Sequence, residues 1–207
     1  RIVVLGGGFG GIYAVMELER LLGRDPNVEI TLVNQDNFFV FTPMLHEVAA
    51  SDLDLTHIVN PIRKLLRRAA FFHGEALEID LQGKTVTVSH GVEGSHPHRL
   101  EYDHLVLGLG AVTNFFGTPG VAEHAFTMKT LGDAIALRNR IIDSLEEGDF
   151  ECCPNVRRRM MTFVVAGGGF AGVETVAAIH DFMLEALPHY PHLSAADVRV
   201  VLVHPGA

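Results

Sequence analysis

The chain is short of cysteine, of long apolar runs and of basic residues, and each shortage excludes something. Its 207 residues hold two cysteines, the neighbours Cys152 and Cys153. Adjacent thiols do not close a relaxed disulfide, and there is no second pair to build a framework. Such usage fits a reducing compartment. No stretch of eighteen or so uncharged apolar residues occurs, so no segment reads as a membrane-spanning helix. Lys and Arg number 16 against 25 Asp and Glu, a formal net charge of −9. That balance argues against nucleic acid as a partner, because a phosphate-binding surface needs a basic excess. The first strand begins at the second residue, which leaves no room for a signal peptide. The chain opens on Arg1 rather than Met and stops just after a buried strand, so a piece of a longer protein is expected.

What is abundant is glycine, and it is placed twice in the same way. "IVVLGGGFGG" opens the chain and "FVVAGGGFAG" returns in its last third. Aligning Gly6 with Gly167 also matches Val3, Val4, Gly7, Gly8, Phe9, Gly11 and Val15 to identical residues. Each cluster follows a short apolar run that reads as a buried strand, Ile2 to Leu5 and Thr162 to Ala166. Each opens a helical pattern and is followed by a second strand, "VEITLV" and "VRVVLV". Strand, glycine turn, helix and parallel strand make a βαβ unit with right-handed crossover. In G-x-G-x-x-G the first glycine makes the turn. The second admits a pyrophosphate to the backbone, and the third lets the helix close on the sheet. The helix N-terminus supplies free N–H groups and partial positive charge. Gly6, Gly8 and Gly11 meet this in the first copy, and Gly167, Gly169 and Gly172 in the second. Two such units in one chain predict two dinucleotides, a flavin and a nicotinamide, with hydride passing between their rings.

The intervening sequence organises around these units. Asn34 to Pro43 reads as an aromatic-rich loop, and "MLHEVAA" and "NPIRKLLRRAA" as two short helices, with Pro61 in a first turn. "FFHGEALEID", "KTVTVSHG" and "HRLEYDHLVLGLG" read as strands, the first hairpin turning at Gln82-Gly83. "LVLGLGA" returns to the main sheet. "GTPG" marks a boundary, and Thr130 to Glu147 reads as a helix. The expected fold is α/β with two Rossmann-like units. Residues 1–117 form a first, FAD-binding segment with a small antiparallel insertion, and 118–207 a shortened nicotinamide domain.

The stretches "VVLGGGFGG", "FTPMLHEVAA", "YDHLVLGLGAVTNFFGTPGVAEHAFTMKTLGDA" and "VVAGGGFAGVETVAAI" resemble the two-dinucleotide flavoprotein reductases. Within that superfamily they most resemble type II NADH dehydrogenases, the single-subunit NADH:quinone oxidoreductases. The resemblance covers nearly the whole chain. It implies that Gly6, Gly8, Phe9, Gly10 and Gly11 cradle the FAD pyrophosphate and that Thr42 and Pro43 lie beside the isoalloxazine. Glu75-Ala76 would present backbone to the adenine, and Gly110 and Ala111 would close over the flavin. Gly167, Gly169, Phe170 and Gly172 would hold NADH, and Glu174 would face the nicotinamide, where the first copy has Tyr13. The acidic residue that usually meets the ribose at the end of the second strand is Asn34 in the first copy, beside Gln35, and His204 in the second. A neutral imidazole suits a ribose and a protonated one a 2′-phosphate, so NADPH stays beside NADH.

By the same resemblance the acceptor is a quinone, the setting the cytoplasmic face of a membrane with peripheral contact made by parts outside this chain, and a homodimer is possible. The piece alone is expected to be inactive. Two other readings are a soluble NAD(P)H reductase for a small iron protein, and a nucleotide sensor without turnover. Other features read as structural. Cys152-Cys153 lack the spacing of a redox pair. His90, His96, His98 and His104 crowd one region without acidic or cysteine partners for a metal. His46 is read as a packing residue near the flavin loop, with a proton relay as the other option. His180 is placed on the apolar face of the second helix with Val173, Val176, Ala177 and Met183. Arg63, Lys64, Arg67 and Arg68 read as a solvated helix face, and Arg157 to Arg159 as an exposed loop. Asp36 reads as a turn cap.

Overall fold

The fold was obtained as a computed structural model, which describes residues 1–91 and 96–206. The loop between the second and third insertion strands therefore lies partly outside the described residues. By internal contacts the chain divides into two units. One comprises Arg1–Val40 and Val59–Val112; the other takes Phe41–Ile58 together with the chain from Thr113 onward.

In the first unit β1 (Ile2–Leu5) leads through the glycine turn into α1 (Phe9–Leu22) and on to β2 (Ile30–Asn34). β3 (Phe38–Val40) pairs antiparallel with β4 (Val59–Pro61), where the sequence suggested only a loop. That pairing makes it a strand, and Phe39 anchors it, being buried and meeting Phe9 edge-on at 5.0 Å. α3 (Ile62–Leu65) and β5 (Ala70–His73) follow. β6 (Glu75–Asp80), β7 (Thr85–His90) and β8 (His96–Glu101) form an antiparallel sheet, and β9 (His104–Leu107) returns to the main one. The main sheet runs β5-β2-β1-β9, all parallel. Counted among its own strands this is the order 3-2-1-4 of a doubly wound fold.

Strand alternation decides what β1 buries on each side. Ile2 and Val4 pack with Ile12 and Val15 of α1. Val3 and Leu5 face Val86 and Val88 of the antiparallel sheet and Tyr102 just past its last strand. Both faces of the strand are covered, so it reads as a continuous apolar run rather than an alternating one.

The second predicted helix of the loop region is cut short. It ends at Leu65, and Leu66 is already extended. The cause is Glu19, a buried carboxylate on α1. It accepts the backbone N–H groups of Arg67 at 2.9 Å, Arg68 at 2.7 Å and Ala69 at 2.6 Å. Those amides can no longer serve a continuing helix, and the chain turns into β5. The Arg68 guanidinium also donates to the carbonyl of Gly23, closing the end of α1. "FFHGEALEID" likewise breaks in two. At Gly74 an added Cβ would lie 2.0 Å from the Ser89 carbonyl oxygen, so the backbones cross there. β5 joins the parallel sheet and β6 the antiparallel one. The Gln82-Gly83 turn forms as expected, with both amides donating to Asp80 at 3.0 and 2.8 Å.

In the second unit, α2 (Leu45–Ala49) and the short α4 (Val121–His124) precede the long α5 (Leu131–Phe150). Thr130 caps α5 in a reciprocal box with Asp133, satisfying two orphan amides at once. α6 (Pro154–Met160) is a helix where Arg157–Arg159 were expected in a loop. Pro154 starts it, and Arg157 ties it down by donating to the carbonyl of Glu151 at 2.6 Å. β10 (Thr162–Ala166), α7 (Phe170–Ala186) and β11 (Arg199–Val203) complete the second βαβ unit, with β10 and β11 parallel. Ile141 and Leu145 of α5, Met161, and Ile179 and Met183 of α7 form its core.

His180 is not in that core. It is exposed and pairs with Asp181 at 3.3 Å. The stripe actually buried on α7 is Thr175, Ala178, Ile179 and Met183, which puts His180 one position past the edge. Cys152 and Cys153 are exposed free thiols. Among the described residues no helix is long and apolar enough to cross a membrane.

Replacing Glu19 by Ala would leave three amides without their acceptor. The expected loss is about 2–4 kcal/mol of unfolding free energy, read from urea denaturation, with a smaller loss for Glu19→Gln.

Candidate functional site

The two glycine turns are built alike to the level of single atoms. Gly6 and Gly167 have φ of +99° and +118°, a region that costs a side-chain-bearing residue dearly. Each is tied to the neighbouring strand, Gly6 N–H to Val33 O and Gly167 N–H to Val203 O, both at 2.8 Å. An added Cβ at Gly11 would lie 1.7 Å from the Gly6 carbonyl oxygen; at Gly172 it would lie 1.8 Å from that of Gly167. Only glycine lets helix and turn close to this distance. In the first unit Gly108 completes the crowding, its oxygen 2.2 Å from where a Gly6 Cβ would be.

At Gly8, Gly10 and Gly169 the situation is opposite, for a Cβ there would meet nothing within 4 Å. Gly8 and Gly169 are the N-caps of α1 and α7. Neither helix has a side-chain cap or an acidic residue in its first turn. No capping or first-turn acidic side chain of the helix itself therefore offsets the positive end of either helix dipole. These are the properties that a dinucleotide pyrophosphate needs.

The strand-end residues sit beneath these turns. Asn34 Oδ1 accepts the Gly7 N–H at 2.7 Å, and its Nδ2 donates to Asp36 O at 2.9 Å. His204 Nδ1 accepts the Gly168 N–H at 3.2 Å. Gln35 takes part through its backbone, accepting from His73 Nε2 at 2.6 Å. Ala76 is half-buried on β6 beside a bulge, and Gly110 and Ala111 follow β9 in exposed chain. Phe9 packs inward, whereas Phe170 is 90% exposed.

In the second unit Thr42 and Pro43 are exposed in a short 3₁₀ turn that runs into α2. Glu174 projects from the second turn of α7. His46, on α2, lies between two carboxylates, Glu47 at 3.5 Å and Glu174 at 3.8 Å. The sequence suggested a packing residue near the flavin loop; what it did not contain was the link to Glu174, because the two are remote in the chain. The surroundings are acidic. Burial first, then the charges of Glu47, Glu185 and Asp181, hold the Asp52 carboxyl above its ordinary range.

The remaining histidines sort differently from their spacing. His90 and His98 each lie 5.5 Å from the Phe72 ring, and His96 lies 5.9 Å from His90. His104 opens β9 in the other sheet. Among the described residues no group of three His, Cys, Asp or Glu is arranged to hold a metal ion.

Two strand–turn–helix cradles with open, uncapped helix starts define a protein of the paired dinucleotide-binding class, and comparison with known proteins narrows it. The family described as pyridine nucleotide-disulphide oxidoreductase matches residues 1–205, and the chain belongs to that family. Among similar proteins is the external alternative NAD(P)H-ubiquinone oxidoreductase B4 of Arabidopsis thaliana mitochondria, 36% identical over 195 residues that cover 89% of this chain and 32% of that protein. The type II NADH:quinone oxidoreductase Ndh of Mycobacterium tuberculosis is 32% identical over 207 residues, covering 98% of this chain and 43% of that protein. The structure of NDH2 from Plasmodium falciparum in complex with NADH superposes with a TM-score of 0.90 at 25% identity, covering 99% of this chain and 42% of that one. The chain thus spans about a third to two fifths of the length of these relatives.

Two outcomes follow from the site. Gly8→Ala and Gly169→Ala should leave unfolding midpoints nearly unchanged, since the added methyl meets nothing, while each weakens dinucleotide binding in its own unit, measured by calorimetric titration with FAD and with NAD⁺. Asp52 is the second case. Its raised pKa means that the folded state is penalised at neutral pH, and the penalty is lifted as the pH falls through the folded value. Asp52→Asn should therefore raise the melting temperature at pH 7, by an amount that shrinks toward pH 4; an equal gain at both would contradict this.

Proposed function

We propose that the protein is a FAD-dependent NADH dehydrogenase that passes electrons to a quinone, with residues 1–117 holding the flavin and 118–207 the nicotinamide nucleotide. The observation that carries this is the pair of cradles, each with a φ-positive glycine, a helix packed onto the turn and an open N-cap. Relatives named as NADH:quinone and NAD(P)H-ubiquinone oxidoreductases support the choice of donor and acceptor.

A bound flavin supplies the two-electron chemistry that links a hydride donor to a quinone. The chain's own residues bind and orient. The amides at the start of α1, around Gly8, Phe9, Gly10 and Gly11, receive the FAD pyrophosphate. Asn34 and Gln35 serve its ribose, Ala76 the adenine, and Gly110 and Ala111 the flavin end. Thr42 and Pro43 line the flavin's reactive edge. Gly167, Gly169, Phe170 and Gly172 receive the NADH phosphates, and His204 stands at the ribose, where NADPH is also accommodated. Glu174 aligns the nicotinamide. No acid–base group is required for hydride transfer itself, and its rate depends on alignment. Peripheral attachment at the cytoplasmic face of a membrane and a homodimer complete the reading.

The test uses full-length protein purified with its flavin. NADH is expected to bleach the yellow absorbance, and a short-chain quinone to restore it, with parallel-line kinetics for the two substrates. Reoxidation only by a small iron protein would overturn the quinone assignment, and failure of NADH to bleach bound flavin would leave a sensor. Glu174→Gln is expected to lower kcat about tenfold through lost alignment, with flavin content unchanged.

A further inference from the structure

A side chain at the end of the second strand of each unit, the last residue of β2 and the first after β11, folds back under the glycine turn. In the first copy it is an amide: Asn34 Oδ1 holds the Gly7 N–H at 2.7 Å. In the second it is an imidazole: His204 Nδ1 holds the Gly168 N–H at 3.2 Å. The hydrogen bond is longer in the second copy, but the side chain packs against the turn equally closely in both. A Cβ on Gly7 would lie 2.7 Å from Asn34 Cγ, and one on Gly168 would lie 2.7 Å from His204 Cγ. Two copies have arrived at one contact with different chemistry.

The difference matters because the acceptors respond differently to protons. An amide oxygen accepts at every ordinary pH. A ring nitrogen accepts only while it carries no proton, so the Gly168 bond requires the neutral imidazole with its hydrogen on Nε2. In the imidazolium both nitrogens are donors. Nδ1–H would then face the Gly168 N–H, and the amide would lose its acceptor.

We propose that His204 is the positioning residue of the second turn. Its neutral ring holds the Gly168 amide, and with it the approach to Gly169 and the start of α7, in the shape that receives a nicotinamide dinucleotide. Its protonation releases that shape. The proposal rests on reading the second cradle as the nicotinamide site. The charged groups of the neighbouring elements are directed elsewhere. Glu174 of α7 faces His46 at 3.8 Å, His180 and Asp181 pair with each other at 3.3 Å, and Arg199 stands at the opposite end of β11, beside Thr162. Among the described residues no ion pair involves His204.

The experiment measures binding of NAD⁺, which does not reduce or oxidise the resting flavin, to the oxidised full-length flavoprotein by calorimetry from pH 8 to pH 5.5. For the wild type, Kd is expected to rise by up to about tenfold from the neutral to the protonated imidazole and then level off, the effect of one lost hydrogen bond. His204→Asn, which copies the first unit's latch, is expected to lose that slope. His204→Ala, with no acceptor, should bind more weakly at every pH. A flat wild-type profile, or an unchanged slope in His204→Asn, overturns the proposal. Absence of NAD⁺ binding by the wild type at every pH overturns instead the reading of the second cradle on which it rests.

Discussion

The approach of a helix to the turn that precedes it, with Gly11 against the Gly6 carbonyl and Gly172 against that of Gly167, is the constraint on which the rest depends. A Cβ at either helical glycine would lie inside 2 Å of a carbonyl oxygen, well below any tolerable contact. Because that carbon is missing, α1 and α7 start directly at the ends of β1 and β10. Their N-caps, Gly8 and Gly169, have room around them, a Cβ at either meeting nothing within 4 Å, and the helix dipole ends where a phosphate can reach it. The burial of β1 on both faces and its pairing with β2 and β9 hold the turn rigidly enough for this geometry to persist.

The copies have kept this frame and diverged around it. Phe9 turns inward onto Phe39, stiffening the first turn from below, whereas its counterpart Phe170 stays in solvent. Tyr13 stacks on Phe9 at 6.3 Å, whereas Glu174 reaches toward His46 on α2. The amide latch of Asn34 is replaced by the imidazole of His204. One cradle is tied into its own core, and the other carries an exposed Phe170 and the titratable side chains of Glu174 and His204.

Much of this was legible from residue order. The glycine spacing, the apolar runs before it and the 3.6-residue pattern after it are local properties, and the βαβ units appear where those signals lie. The helical pattern from Thr130 to Glu147 placed α5 for the same reason. What was misread depended on partners far away in the chain. The helix after Pro61 stops because Glu19, on another element, takes the amides it would have used. Phe38 to Val40 become a strand because β4 lies beside them. His180 is exposed because the core meets α7 along Thr175, Ile179 and Met183, a stripe that the helix's own composition does not single out.

By itself, then, the sequence settled the two turns, their glycines and the parallel strands around them, since each needs only neighbours within a few residues to be specified. The tertiary structure alone decided which side chains would meet across long separations: Asn34 beneath Gly7, His204 beneath Gly168, Glu174 opposite His46, and Glu19 under the chain that enters β5. Such contacts depend on where whole strands and helices come to rest, and packing between elements determines that, whereas local preference does not.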